Sequence, residues 1–282
     1  MKAYDLVVIA MLGALAAVFQ IVHGVIGIPT GFGMTVDLVA VPVILAFFLF
    51  GLEHSLWVLL IASFVITLIA PDSWLGASMK FMATIPMVLV PAFYILARNK
   101  KVSFAILGGV AFVAALLMFV ASGCANKAME PVLTPLNQTA FYSVPQVNLF
   151  ETELIHGTDV TASTLMLGII PILALTVMTV VLLIIWKTFA RKLNPKPFAN
   201  SLTIVAVLFA ALAVRGVASI ISNYYYAGPI FFGMAPEELM KIAPWFIIAG
   251  WNAVQGILEF GIAWVIAYQF GFAKKYGEWK SG

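Results

Sequence analysis

The chain has 282 residues, 63% of them hydrophobic and only 10% charged, with a formal net charge of +3. That composition excludes a water-soluble globular domain, and the apolar runs between the charge clusters are long enough to cross the roughly 30 Å hydrocarbon layer of a bilayer. The runs show no ten-residue alternation of apolar and polar positions, so the expected fold is all-α, a polytopic transmembrane bundle with its backbone satisfied inside each helix. The single cysteine, Cys124, excludes an internal disulfide. The small positive charge is accounted for by topology and implies no nucleic-acid partner.

Eight spans are expected, at about 5–27, 36–52, 54–70, 80–98, 102–122, 162–188, 200–222 and 244–272. The first follows Lys2 and Asp5, and its apolar core is too long for a cleaved signal peptide. It carries small residues four apart at Ala10/Ala14 and Gly13/Ala17, a spacing that lets another helix approach closely. The second and third spans are short and are separated only by Gly51, Glu53 and His54. After the fifth, Ser122-Gly123-Cys124 has a faint likeness to a lipoprotein processing site, but it lies far from the N-terminus and is discounted. Residues 123–161 form a connection long for its kind, with Pro131, Pro135 and Pro145 among its acids.

Lys and Arg collect in cytoplasmic loops. With the N-terminus inside, Lys2, Arg98, Lys100, Lys101, Lys187, Arg191, Lys192, Lys196, Lys274, Lys275 and Lys280 all fall on one side, eleven of the fifteen basic residues. The opposite side receives Asp72, Glu130, Glu151, Glu153, Asp159, Glu237 and Glu238. Both termini are therefore expected in the cytoplasm. Merging the second and third spans would spoil the alternation.

Several chemistries lack their residues. No G-x-x-x-x-G-K-[ST] phosphate loop occurs, so any ATP must be hydrolysed by another chain. His23, His54 and His156 are scattered, no H-E-x-x-H or paired-acid motif appears, and there is no Gly-x-Ser-x-Gly elbow. No catalytic residue, metal site or cofactor is assigned, and the chain is not expected to be an enzyme.

Polar side chains inside a membrane cost several kcal/mol when charged, so each is a functional hypothesis. On the last span Asn252, Gln255 and Glu259 share one stripe at i, i+3 and i+7, and Arg215, Ser219 and Ser222/Asn223 repeat that spacing on the span before it. At about 1.5 Å per residue, Asn252 and Arg215 lie about 12 and 10 Å from the outer ends of their helices and Glu259 about 22 Å. The stripes are thus expected to meet in the outer half of the bundle. Two readings of the amides are open: interhelical bonding without a ligand, at about 0.6–2 kcal/mol, or a small-molecule pocket of Asn223, Asn252 and Gln255. The second is preferred because the amides adjoin the aromatic segment Asn223–Pro229. Tyr224, Phe232 and Trp251 are candidates for the faces of such a pocket, whereas Tyr225, Tyr226 and Trp245 read as an interfacial aromatic belt. Arg215 and Glu259 read as structural, bonded to backbone carbonyls or neighbours.

Four stretches together resemble the substrate-binding S components of energy-coupling factor vitamin transporters, the riboflavin-specific ones above all. Ile9-Ala10-Met11-Leu12-Gly13-Ala14-Leu15-Ala16 is similar to the family's Ala-x-x-x-Ala first helix. Asp37-Leu38-Val39-Ala40-Val41-Pro42 with Phe48-Leu49-Phe50-Gly51 resembles its second helix. Ser222-Asn223-Tyr224-Tyr225 and Asn252-Ala253-Val254-Gln255-Gly256 resemble an Asn-Tyr-Phe and an Asn-x-x-Lys-Gly stretch on its fifth and sixth.

The resemblance implies a six-helix core (residues 1–101 and 197–282) with an inserted helical hairpin at 102–196, all in one transmembrane domain. It also implies vitamin contacts from Asn223, Asn252, Gln255 and Asp37, and a lid at Gly31-Phe32-Gly33-Met34-Thr35 that closes with Met34 and Thr35 over the ligand. Ala10 and Ala14 would contact a membrane-embedded T component, and two cytoplasmic ATPases would drive uptake across the plasma membrane. Riboflavin would be cargo, not cofactor. Two departures stand out: the insertion has no counterpart, and Gln255 replaces a Lys, which leaves another water-soluble vitamin as the second choice. The competing function is a stand-alone secondary carrier, driven by protons or sodium through Glu259 as a titrating carboxylate, against which stands the lack of any repeat between the two halves.

Overall fold

The computed structural model describes residues 3–30, 35–69, 73–98, 201–229 and 233–276, with isolated positions between 176 and 198. The fifth expected span, most of the sixth and of the hairpin 102–196, the lid residues Gly31, Phe32, Gly33 and Met34, and Phe232 lie outside the described residues. In chain order the elements are α1 (Ala3–Ile26), β1 (Ile28–Pro29), β2 (Thr35–Val36), α2 (Val41–Phe50), α3 (Leu52–Ile69), α4 (Ser73–Arg98) and α5 (Ser201–Ser222), which runs on through a π-turn at Asn223–Ala227. Beyond it come α6 (Pro236–Ile242), α7 (Trp245–Trp264), continued by a π-turn at Val265–Gln269, and α8 (Phe272–Tyr276). Among the described residues five segments, Ala3–Val22, Leu52–Ile69, Trp74–Leu96, Leu202–Ala227 and Trp245–Gln269, are long and apolar enough to cross a membrane. The chain is a helical bundle of membrane type.

Two of the expected spans differ in the structure. The span placed at 36–52 is a ten-residue helix, Val41–Phe50, preceded by extended chain and a short turn. At 1.5 Å per residue it covers about 15 Å, half a hydrocarbon layer. Hydropathy cannot separate the helical part from the apolar lead-in, because Leu38, Val39 and Ala40 are as apolar as the helix itself. The break after it comes at Gly51, whose φ of 92° is open to glycine and strained for any other residue. The span placed at 80–98 begins at Ser73 instead. The helix is thus two turns longer at its N-terminus than expected, and Lys80 lies inside it.

α2 is the centre of the bundle. Every residue from Val41 to Leu49 is buried, surrounded by α1, α3 and α7. α1, by contrast, leaves Leu6, Val7, Met11, Leu15, Val18 and Ile21 exposed, as a helix facing lipid does, and buries its polar Asp5 and Gln20. Below α2 lies an aromatic cluster: Phe48 stands edge-on to Phe260 at 5.1 Å, to Tyr268 at 5.6 Å and to Phe198 at 6.0 Å, within the range such pairs favour. Trp264 donates its indole N–H to the Phe198 carbonyl at 3.0 Å, tying the lower end of α7 to the chain entering α5. At the upper end, where α5 finishes and α4 and α7 begin, the hydroxyls of Ser78 and Tyr226 bond at 2.9 Å and Tyr224 donates to the Ala243 carbonyl at 2.8 Å. Thus α5 is antiparallel to both α4 and α7.

Candidate binding site: a buried charge network

Helical side chains lean toward the N-terminus of their own helix. α5 starts at the lower end and α7 at the upper end, so Arg215 leans down and Glu259 leans up. Their backbones are well separated in height, since Gly216 lies beside Ala249 and Gly256 beside the Arg215 side chain, yet Arg215 Nη1 donates to Glu259 Oε2 at 2.7 Å. Glu259 Oε1 accepts from Lys80 Nζ on α4 at 2.8 Å and from Gln255 Nε2, one turn above on α7, at 3.0 Å. Lys80 also donates to Asp37 Oδ1 at 2.6 Å, and that oxygen accepts the Val39 backbone N–H at 2.8 Å in the turn that leads into α2. One polar chain therefore runs from the α2 lead-in through α4 and α7 to α5.

The network contains two acids and two cations and is balanced. A charge taken alone out of water is costly, and opposite charges compensate it only when hydrogen-bonded as closely as these are. Burial is graded along the network: the side chains of Arg215 and Glu259 are 1% and 0% exposed, those of Lys80 and Asp37 12% and 10%. The Asp37 side is the one nearest to solvent or headgroups. Gly256 makes room for the Leu212 side chain, because a Cβ there would meet Leu212 Cδ2 at 2.6 Å, while Arg215 Cδ and Met87 Cε would lie at an ordinary contact distance of 3.4 Å.

Of the three amides named from the sequence, Gln255 joins this network, Asn252 lies about one turn above it on α7, and Asn223 lies farther up, at the upper end of α5. Gln255 and Asn252 are buried and Asn223 is half-buried. Gln255 reaches into the network through Glu259, whereas Asn252 donates to the Ile248 carbonyl at 2.9 Å and Asn223 to the Ser219 carbonyl at 2.8 Å, each one turn back on its own helix. Asp37 is the carboxylate of Lys80. Tyr224 is buried with its hydroxyl on Ala243, and Trp251 is half-buried. Thr35 pairs with Pro29 in the two-stranded ladder that brackets 30–34. On α1, Ala10 and Ala14 are exposed, while Gly13 is turned inward against Ile61 of α3.

Arg215 and Glu259, read from the sequence as bonded to neighbours, are bonded to each other and, through Glu259, to Lys80. Lys80 itself is the site residue that sequence reasoning missed. A signal existed: Trp74–Phe81 is apolar on both sides of Lys80, so the cation had to lie within a helix and to find an acid. The chain matches no family model, and no curated protein and no solved structure resembles it significantly.

Proposed function

We propose that this protein is the substrate-binding membrane subunit of an ATP-driven uptake system of the energy-coupling factor type, with a riboflavin-like vitamin as its cargo. In this reading the chain crosses the plasma membrane about eight times with both termini in the cytoplasm. A T component in the membrane and two cytoplasmic ATPases are supplied by other chains. The observation that carries the reading is the convergence of Asp37, Lys80, Arg215, Gln255 and Glu259, with Asn252 above them, at one buried locus reached by four segments of an otherwise apolar bundle. A membrane protein keeps so many polar groups together where it handles a polar solute or ion. Ala10 and Ala14 support the partner, since they lie on the open side of α1 where a second membrane helix can approach. The ion-coupled alternative is weaker, because both oxygens of Glu259 are committed to Lys80, Arg215 and Gln255.

The test is spectral and then functional. The purified full-length protein should carry or bind riboflavin, seen as yellow absorbance or quenched flavin fluorescence, and vesicles should accumulate it only when the ATPases and the T component are present. Accumulation driven by an ion gradient in vesicles without any ATPase would overturn the proposal.

A further inference from the structure

Arg215 is fully buried and uses a single N–H, from Nη1, on Glu259. Its other edge, Nε and Nη2, has no hydrogen-bond acceptor among the described residues, and neither does the buried Ser219 hydroxyl one turn above. Two parallel N–H groups side by side form a donor pair of fixed geometry, and that fork is what distinguishes Arg from Lys. A Lys would satisfy Glu259 equally well. Burying the spare edge unpaired costs about 1–3 kcal/mol for each donor, which is explained if a ligand completes it.

We propose that the Nε/Nη2 edge of Arg215 is a recognition element for a neutral fused heterocycle presenting a carbonyl oxygen beside an unprotonated ring nitrogen. This rests on the vitamin-binding reading and deepens it by naming the edge of the ring that is read. Two arguments fix the class. A donor pair requires an acceptor pair, either a carboxylate or a carbonyl next to a ring nitrogen, the latter being the pairing Arg makes with the O6/N7 edge of guanine. Charge then decides between them: Asp37 and Glu259 already balance Lys80 and Arg215, so a carboxylate ligand would add an uncompensated buried charge, whereas a neutral acceptor pair leaves the balance intact.

The experiment titrates the full-length protein in detergent with riboflavin, 1-deazariboflavin and 5-deazariboflavin, followed by tryptophan quenching. Riboflavin has two such edges, and each deaza compound removes the ring nitrogen from one of them. One of the two analogues should bind about 10- to 100-fold more weakly than riboflavin and the other nearly as well. In Arg215→Lys, which keeps a cation for Glu259, riboflavin should weaken by a similar factor and the discrimination between the analogues should vanish. Equal binding of all three by the wild type, or unchanged discrimination in Arg215→Lys, overturns the inference while leaving vitamin binding in place. If Arg215→Lys does not fold, the wild-type comparison of the analogues decides alone. If riboflavin does not bind, the vitamin assignment falls, and pterin and guanine become the probes of the edge: weaker binding of either in Arg215→Lys supports the inference, and no binding of any probe overturns it. Competition by benzoate, a carboxylate without the ring edge, would overturn the neutral class.

Discussion

Glu259 and Phe260 are consecutive on α7 and equally sealed, at 0% and 1% exposure, yet they meet opposite surroundings. One turns to α4 and α5 and accepts from Lys80, Arg215 and Gln255; the other turns to α2 and stacks edge-on to Phe48. A step of about 100° around one helix thus separates a polar locus from an aromatic one. The aromatic side tolerates substitution in proportion to the volume lost, because its contacts are many, weak and undirected. The ionic side does not, since every member depends on its opposite charge being present. Specificity belongs to the second kind of region, and rigidity to the first.

The largest effect should come from Glu259→Ala, which strips Arg215 and one side of Lys80 of their acceptor; a loss of about 3–5 kcal/mol is expected in reversible unfolding by SDS titration from mixed micelles. Phe260→Ala should cost about 3 kcal/mol, for the cavity alone. Were Phe260→Ala the more damaging of the two, the contrast between the two faces of α7 would be wrong. Asp37→Asn should be milder, about 1–2 kcal/mol, because Lys80 keeps Glu259 and the pair is partly exposed. In a double-mutant cycle with Lys80→Met it should couple by more than about 0.5 kcal/mol, a threshold expected of contacting groups, and additive losses would remove Asp37 from the network. Tyr226→Phe, which deletes only the hydroxyl bonded to Ser78, should cost about 0.6 kcal/mol. Smallest is Ala14→Leu on the open face of α1: stability should change by under about 0.5 kcal/mol, while co-purification with the proposed T component should be lost. Retained assembly would mean that α1 docks nothing through that face.

Much of the bundle was legible in the sequence because hydropathy and charge are properties of segments. The extents of α1, α3, α5 and α7 follow from uninterrupted apolar runs, and the stripes of Asn252, Gln255 and Glu259 and of Arg215 and Ser219 follow from helical periodicity alone. Lys80 was not legible in this way, since hydropathy along one segment cannot see an acid contributed by α7. α2 escaped too: its short length is set by the turn at Asp37 and the glycine at 51, both of which lie within apolar sequence.

The sequence by itself determined that the chain belongs in a membrane, which segments are helical, and which polar residues share a side, because each of these depends on neighbours a few positions apart. Which side chains meet was decided only by tertiary packing. That Arg215 bends down to Glu259, that Lys80 joins Glu259 to Asp37 across 179 and 43 positions of chain, and that one edge of the Arg215 guanidinium has no acceptor among the described residues all depend on how antiparallel helices are offset in height. No local pattern in the chain records that offset.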